Sequence, residues 1–573
     1  MRIYSFMRMG AGLVLLVTCV SMGHSAFAQA VPAQSQTPPG TEIERQSSDT
    51  EIDFTIGGVI SAPLGAESVQ LVVEQITIDG GFEPVAGRTN ALLPKAGTQV
   101  SLADLYQLAA TVQQAYLAAG YPLVRVFVPM QDLDRQNARI RLQVVSGYIG
   151  KVQTEARDPK IRSVVARYLA SLVGQQNLSA SALERAVLLA GNVPGVTLAS
   201  ALSPGTSTGE TILIVSGDYQ PIQAVLSFDN RLAPELGREQ ATLSIAFNGV
   251  LGLGERIGVT VATALDDPSF SSSALRRYGG IFVDLPVGDD GLVIGADAAI
   301  STARPRGVVT FLGLDSDFEH FGGRVSYPLI RSRRHRLVAF GNFNFNKETQ
   351  ASLLLGFPVP LSRDETRVGR IGLNGLVQSP DGLFASAEIE YSRGLDIFGA
   401  RRASEATILE PLSRIGADAV FDKLTANLIL EADVPKTPLV GRLFMRGQTG
   451  FGDALLRSEQ LSVATPDMIS GPPSGILVGD TAVGARFEAE APIRSPGIQL
   501  VPYGFAAAAV TWLERPTLSE LPRTDTHAFG IGFKAQARAG PFIINGRLEY
   551  SRTESDDLNV EGNWATFQIE FRF

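Results

Sequence analysis

The chain has 573 residues, of which 45% are hydrophobic, with a net charge of −9 and 58 glycines. At ~100–200 residues per domain, that is room for several domains or for one large barrel with accessories. The acidic balance, with no basic stripe interleaved with aromatics, argues against a nucleic-acid partner, and beyond the N-terminus no apolar run reaches the ~18 residues of a membrane-spanning helix.

Residues 1–28 have the make-up of a secretory signal peptide. Arg2 and Arg8 supply the positive start, Ala11–Val20 the apolar stretch, and Ala26-Phe27-Ala28 the small-x-small cleavage site. Cys19, the single cysteine, lies inside this segment, so the exported chain would have neither disulfides nor thiol chemistry. A lipoprotein reading of Leu16-Val17-Thr18-Cys19 is disfavoured by the bulk of Thr18. Residues 29–66 read as a linker, and 29–50 are rich in Pro, Gln, Ser and Thr.

Residues 67–146 read as a small α+β domain. Val69–Ile78 alternates as a strand, and Leu105, Leu108, Val112 and Tyr116 recur at helical spacing over Leu102–Ala119. Gly120-Tyr121-Pro122 ends that helix, and Val124–Val128 and Arg139–Val145 follow as strands. Residues 147–222 repeat the plan: strand Ile149–Thr154, helices Ile161–Leu172 and Ala180–Leu189, then strands Val196–Ala201 and Thr211–Val215.

Over 223–573 the helical period gives way to short alternating strands, about sixteen of them, joined by turns that are alternately short and long. The short ones are Pro286–Asp290, Arg331–Arg334, Ser379–Gly382, Arg494–Gly497 and Ala539–Pro541. The long ones are Thr302–Ser316, Asn346–Thr366, Gly394–Ser413, Gly452–Ile476 and Leu513–Thr526. The final ten residues place Ala565, Phe567, Ile569, Phe571 and Phe573 on one face, and mostly polar residues on the other. A soluble β-sandwich array or propeller shares such alternation. Its repetition, its place at the end of the chain and the terminal aromatic favour a transmembrane β-barrel with an apolar outside and a polar lumen.

No nucleophile elbow, phosphate loop or zinc-protease motif is present, which points to no catalytic residue, cofactor or metal. His320, His335 and His527 are scattered and read as strand-face or turn residues. The basic turn Arg331–Arg336 reads as a solubilising charge run. Glu388, Glu390, Arg486, Glu488 and Glu490 share the polar face and would line a lumen, either as a polar conduit or as salt-bridged wall filling.

The order and spacing of several short stretches resemble the two-partner secretion translocators, the haemolysin secretion/activation proteins of the Gram-negative outer membrane. In the first small domain these are Gly120-Tyr121, Val128-Pro129 with Gln131, and Leu142-Gln143-Val144-Val145 with Gly147. In the second they are Pro194-Gly195-Val196 and Leu202 through Pro204-Gly205. In the barrel they are Val325-Ser326-Tyr327-Pro328-Leu329, Ser458-Glu459-Gln460, Gly479-Asp480 and Phe573. The resemblance implies two periplasmic polypeptide-transport-associated (POTRA) domains followed by a barrel of about sixteen strands.

It further implies capture of an unfolded, β-helical exported protein of haemolysin or adhesin type, passed to the cell surface or medium without nucleotide or cofactor. Arg125, Val126, Phe127 and Val128 would form the capturing sheet edge. Phe567, Ile569, Phe571 and Phe573 would signal to the barrel-assembly machinery, which inserts the barrel into outer-membrane lipid. A non-secreting structural or insertase-like barrel is the alternative.

Members of this family fold a sixth external loop into the lumen, where a tip Arg pairs with a wall Asp. Here the tip aligns with Ile469-Ser470-Gly471-Pro472, so Ser470 replaces the Arg. The wall aligns with Phe505, Ala507 and Ala509, so Ala507 replaces the Asp. With both charges gone, a stiff proline-containing tip is expected to pack on a small apolar wall.

Overall fold

The computed structural model describes residues 51–53, 61–155, 158–266, 274–306, 310, 312–557 and 559–573. The expected signal peptide and residues 29–50 of the linker lie outside them.

The first strand, β1 (Glu51–Asp53), lies within the span read as linker, yet it pairs in parallel with Ala199–Ala201 of the second small domain. A three-residue strand is too short to be assigned from its own residues, and its partner is distant in the chain.

The first small domain comprises β2 (Gln70–Asp79), helix α1 (Ala86–Asn90), β3 (Gln99–Ser101), helix α2 (Leu102–Ala118), β4 (Arg125–Phe127) and β5 (Ala138–Val145). Its sheet has the order β3-β2-β5-β4. A capping box starts α2: Asp104 N donates to Ser101 Oγ at 3.1 Å, and Ser101 N donates to Asp104 Oδ2 at 2.7 Å. The amide and hydroxyl of Ser101 hold the Asp104 carboxyl below its ordinary range. Leu105, Ala109, Val112 and Tyr116 bury one face of α2 against the sheet, and Gly120 leaves the helix with φ +89°, where a side chain would be strained.

The second domain comprises β6 (Tyr148–Thr154), α3 (Pro159–Leu169), α4 (Ala180–Gly191), β7 (Val196–Pro204) and β8 (Glu210–Tyr219), with sheet order β1-β7-β8-β6. Both helices pack their apolar faces onto this sheet, through residues such as Ile161, Val165, Leu183 and Val187.

Sixteen antiparallel strands then close a barrel, the first (Ile222–Asp229) pairing with the last (Gly562–Arg572). Ala224 and Phe573 exchange two backbone hydrogen bonds of 3.0 and 2.9 Å at this seam. The twelfth strand is interrupted into Thr481–Glu490 and Ile493–Ser495, both segments pairing with the thirteenth, Ile498–Trp512. Its parity is clear: Ala482, Gly484, Arg486, Glu488 and Glu490 are buried within the barrel, whereas Val483 and Phe487 are exposed outside. Ile569, Phe571 and Phe573 are exposed on the same outer surface, which suits hydrocarbon rather than water.

The expected long connection Asn346–Thr366 is mostly strand. The seventh strand runs to Ser352 and the eighth starts at Val359, with Lys347 opposite Glu365. Polar residues on both faces there erase the alternation on which the sequence reading depended. The connection read as Thr302–Ser316 is likewise shortened, because the fifth strand extends to Ala303 and the sixth begins at Leu314.

The second domain docks on the rim of short turns. Arg185 Nη2 donates to Pro328 O at 2.9 Å, Arg331 Nη2 to Asn192 Oδ1 at 2.9 Å, and Lys160 Nζ to Val250 O at 2.9 Å. Arg333 reaches Glu184 Oε1 through its backbone N at 2.7 Å and its Nε at 3.2 Å. The basic turn is therefore a docking face, where the sequence alone suggested a solubilising run.

Candidate functional site

The sixth long loop, between the eleventh strand (Val440–Thr449) and the twelfth, folds into the barrel. Its base is closed by a short antiparallel pair, Leu461–Ser462 with Val478–Gly479. Two buried carboxylates fasten that base. Asp480 Oδ1 and Oδ2 each accept from Arg414 Nη1 at 2.6 Å, and Asp480 also accepts from Leu455 N at 3.0 Å and Glu514 N at 2.7 Å. Glu459 accepts from Arg370 Nη2 at 2.8 Å and lies 2.7 Å from Lys423 Nζ. These carboxylates belong to the Ser458-Glu459-Gln460 and Gly479-Asp480 stretches, whose roles were not apparent from the residues alone. Multiple donors on each are what a fully desolvated carboxylate requires.

At the tip, Ile469 is fully buried in one apolar cluster with Met468, Phe505, Ala507 and Ala509. Gly471 lies so close to the last strand that a Cβ there would stand 2.5 Å from Trp564 Cδ1. Pro472 is buried beside it. The structure thus brings Ile469 together with the three wall residues singled out above.

The surroundings of Ser470 correct the expectation of an apolar wall. Arg486, fully buried, donates from Nη1 to Ser470 Oγ at 2.9 Å, from Nη2 to Glu549 Oε2 at 2.6 Å, and from Nε to Glu488 Oε1 at 2.7 Å. The Ser470 hydroxyl donates onward to Glu549 Oε1. The Arg486 guanidinium lies 3.5 Å from the Phe505 ring centroid, and Arg486 is the register partner of Ala507. Arg231 Nη1 donates to Ser470 O at 2.6 Å, and Arg547 Nη2 to Pro466 O at 3.0 Å.

Arg486, Glu488 and Glu490 thus belong to ion-paired wall, Lys534 lying 2.7 Å from Glu488 and 2.6 Å from Glu490. Glu390 lies 3.6 Å from Arg370, and Glu388 accepts from Asn374 Nδ2 at 3.1 Å. His320 is held between Asp297 Oδ2 and Asn346 Oδ1, each at 2.7 Å. Arg231, Glu549 and Arg547 were not singled out from sequence; the shared inward parity of Arg547 and Glu549 was the available signal, and Arg231, beyond the end of the first barrel strand, offered none.

The residues expected to form the capture edge, Arg125 to Val128, lie in the first small domain, apart from the loop. Strand β4 is the end strand of the first sheet, with Arg125, Val126 and Phe127 opposite Val145, Val144 and Gln143. Val126 is buried, and its backbone N donates to Gln113 Oε1 of α2 at 3.1 Å, so this N–H points away from β5 and is already satisfied. Val128 follows the strand and packs partly buried on the domain core. Phe567, Ile569, Phe571 and Phe573 lie on or beside the last barrel strand, Phe573 against Phe542 with ring centroids 5.7 Å apart.

Comparison with known proteins gives two profile matches. Residues 209–507, just over half of the chain, match the haemolysin secretion/activation protein ShlB/FhaC/HecB, and residues 71–147 match the ShlB-type POTRA domain. Among curated proteins, the chain is similar to heme/hemopexin transporter protein HuxB of Haemophilus influenzae. It is 24% identical over 325 residues in strain Rd, covering 56% of this chain and 54% of that protein. Against strain 86-028NP it is 23% identical over 260 residues, covering 44% of each. The chain thus spans about half the length of the curated relatives it matches. Among solved structures, CdiB from Escherichia coli superposes with a TM-score of 0.70 at 17% identity, covering 92% of this chain and 95% of that one. CdiB from Acinetobacter baumannii gives 0.60 at 15%, covering 98% of both.

Proposed function

Because the chain belongs to the haemolysin secretion/activation protein family, with its barrel in the outer membrane and its POTRA region in the periplasm, we propose that it translocates an exported partner protein to the cell surface or medium. The partner enters unfolded from the periplasm and passes through the barrel without nucleotide or cofactor. It is of haemolysin or adhesin type and folds outside as a β-helix. The barrel-assembly machinery inserts the barrel into outer-membrane lipid, reading Phe567, Ile569, Phe571 and Phe573.

The observation that carries this reading is the joint arrangement of a lumen filled by a seated loop and a periplasmic domain bolted to its mouth. A conduit needs an entrance held in place and a plug that can be moved. The alternative, a non-secreting structural barrel, drew its support from the missing Arg–Asp pair, and that support weakens because the tip is seated by other bonds. Capture at β4 follows from the same reading, by main-chain pairing that tolerates varied sequences once Gln113 is displaced.

Comparing the surface and medium proteins of a deletion strain with its parent tests the proposal. Loss of one large exported protein, restored by the gene in trans, is expected. Identical profiles under conditions where the barrel is expressed refute it.

A further inference from the structure

From Met468 to Pro473 the buried tip carries no charge. Apart from Asp467, which precedes the tip and pairs with Arg547 at 3.2 Å, the charges around it belong to the wall. Three guanidinium groups meet alternate carbonyls of the loop: Arg547 on Pro466 at 3.0 Å, Arg486 on Met468 at 3.4 Å, and Arg231 on Ser470 at 2.6 Å. Arg486 alone among them also holds a side chain of the tip, the Ser470 hydroxyl, at 2.9 Å.

We propose that Arg486 is the positioning residue of the sixth loop: a cation built into the wall that seats the tip through its hydroxyl and main chain, in place of a cation carried by the loop. Desolvating a guanidinium is tolerable only when its donors are met. Glu488 and Glu549 meet those of Arg486 from the wall, at 2.7 and 2.6 Å, and Phe505 covers its face. All three partners are wall residues, none of them carried by the loop.

The arrangement makes the seat both tight and releasable. Withdrawal of the tip takes from Arg486 one hydroxyl and one carbonyl, and it breaks no ion pair at that residue. A loop-borne arginine would instead leave its carboxylate unpaired in the wall, or carry a charge across the apolar cluster of Met468 and Ile469. The geometry also accounts for Ala507. It stands opposite Arg486 in the sheet, and the carboxylates serving that guanidinium come from Glu488 on the same strand and Glu549 on the fifteenth (Phe542–Ser555).

The test follows the loop and does not use secretion. Ile469→Cys puts a thiol at a fully buried tip position, and the only native cysteine is Cys19. Its labelling by a membrane-impermeant maleimide is measured on intact cells, beside the gel mobility of the unheated barrel. R486A is expected to speed labelling about tenfold or more, the ratio that loss of a hydrogen bond to a charged group corresponds to, with folded mobility retained. S470R and R486S should each speed labelling, whereas S470R/R486S, which moves the cation from wall to tip, should return the rate toward background.

Unchanged labelling in a folded R486A barrel overturns the proposal, and so does a double variant labelled as fast as the singles. If truncation prevents assembly, R486Q, a shorter polar side chain without the charge, takes its place with the same two readings.

Discussion

Asp480 is the most heavily engaged carboxylate of the loop base, and Arg414 is its charged partner, the two side chains being 0% and 4% exposed. Arg414→Ala removes the cation and leaves Asp480 with only neutral donors. Breaking a buried pair in this way costs ~3–5 kcal/mol. The temperature at which the folded gel band converts to the unfolded one should fall, and Asp480→Ala added to Arg414→Ala should cost less than the sum of the singles. An Arg414→Ala barrel converting at the wild-type temperature would show that loop base to be held by other means. At this scale the sequence is only half legible. Inward parity marks Arg486 and Glu488 as lumenal, but the partners of Ser470 and Arg486 stand 239 and 63 residues away, and no periodicity links such positions.

At the scale of elements, two strands carry predictions. In β4, a proline at Val126 removes an N–H that points to Gln113, whereas a proline at Phe127 acts on the side facing β5. Gln113→Ala should therefore increase partner capture by baring the edge, and V126P/F127P should abolish it with the barrel still inserted. Unchanged pull-down of the partner by both variants would remove β4 from the pathway. In the last strand, deletion of Phe573 loses the two backbone bonds to Ala224, ~1–3 kcal/mol at the seam, whereas Phe573→Ser keeps them and loses only the exposed ring. Deletion should lower outer-membrane levels further than substitution; equal levels for both would assign the whole effect to the ring.

Strand existence and order were readable because lipid on one side and water on the other impose a period of two. What escaped was the structure lying outside that contrast. The hairpin of strands seven and eight is polar on both faces where Lys347 meets Glu365, and β1 is three residues long. The small domains were legible for the opposite reason: Leu105, Val112 and Tyr116 bury one helix face, and Gly120 marks its end.

For the molecule as a whole, closure leaves no strand edge in the ring, so unfolding must break many backbone bonds together. Unheated protein in detergent should therefore migrate differently from boiled protein, with a β-type circular-dichroism spectrum. Equal mobility together with a helical spectrum would contradict the closed barrel.

The docking of the second domain bears on how load would travel. Its polar contacts with Val250, Asp290, Pro328, Arg331 and Arg333 fall at the ends of strands two (Gln240–Asn248), four (Arg276–Val287) and six (Leu314–Arg331) and on the turns that follow, one arc of the ring. The seat of the sixth loop is built from strands twelve and fifteen and from Arg231, on the arc that continues through the seam. Tension applied by a chain held on the periplasmic domains is thus borne by one arc, as by a bracket fixed along one side of a pipe. The tip of the plug rests against the other arc, so a load entering through the bracket reaches the joint between loop and wall by way of the hydrogen-bonded ring that joins the two arcs.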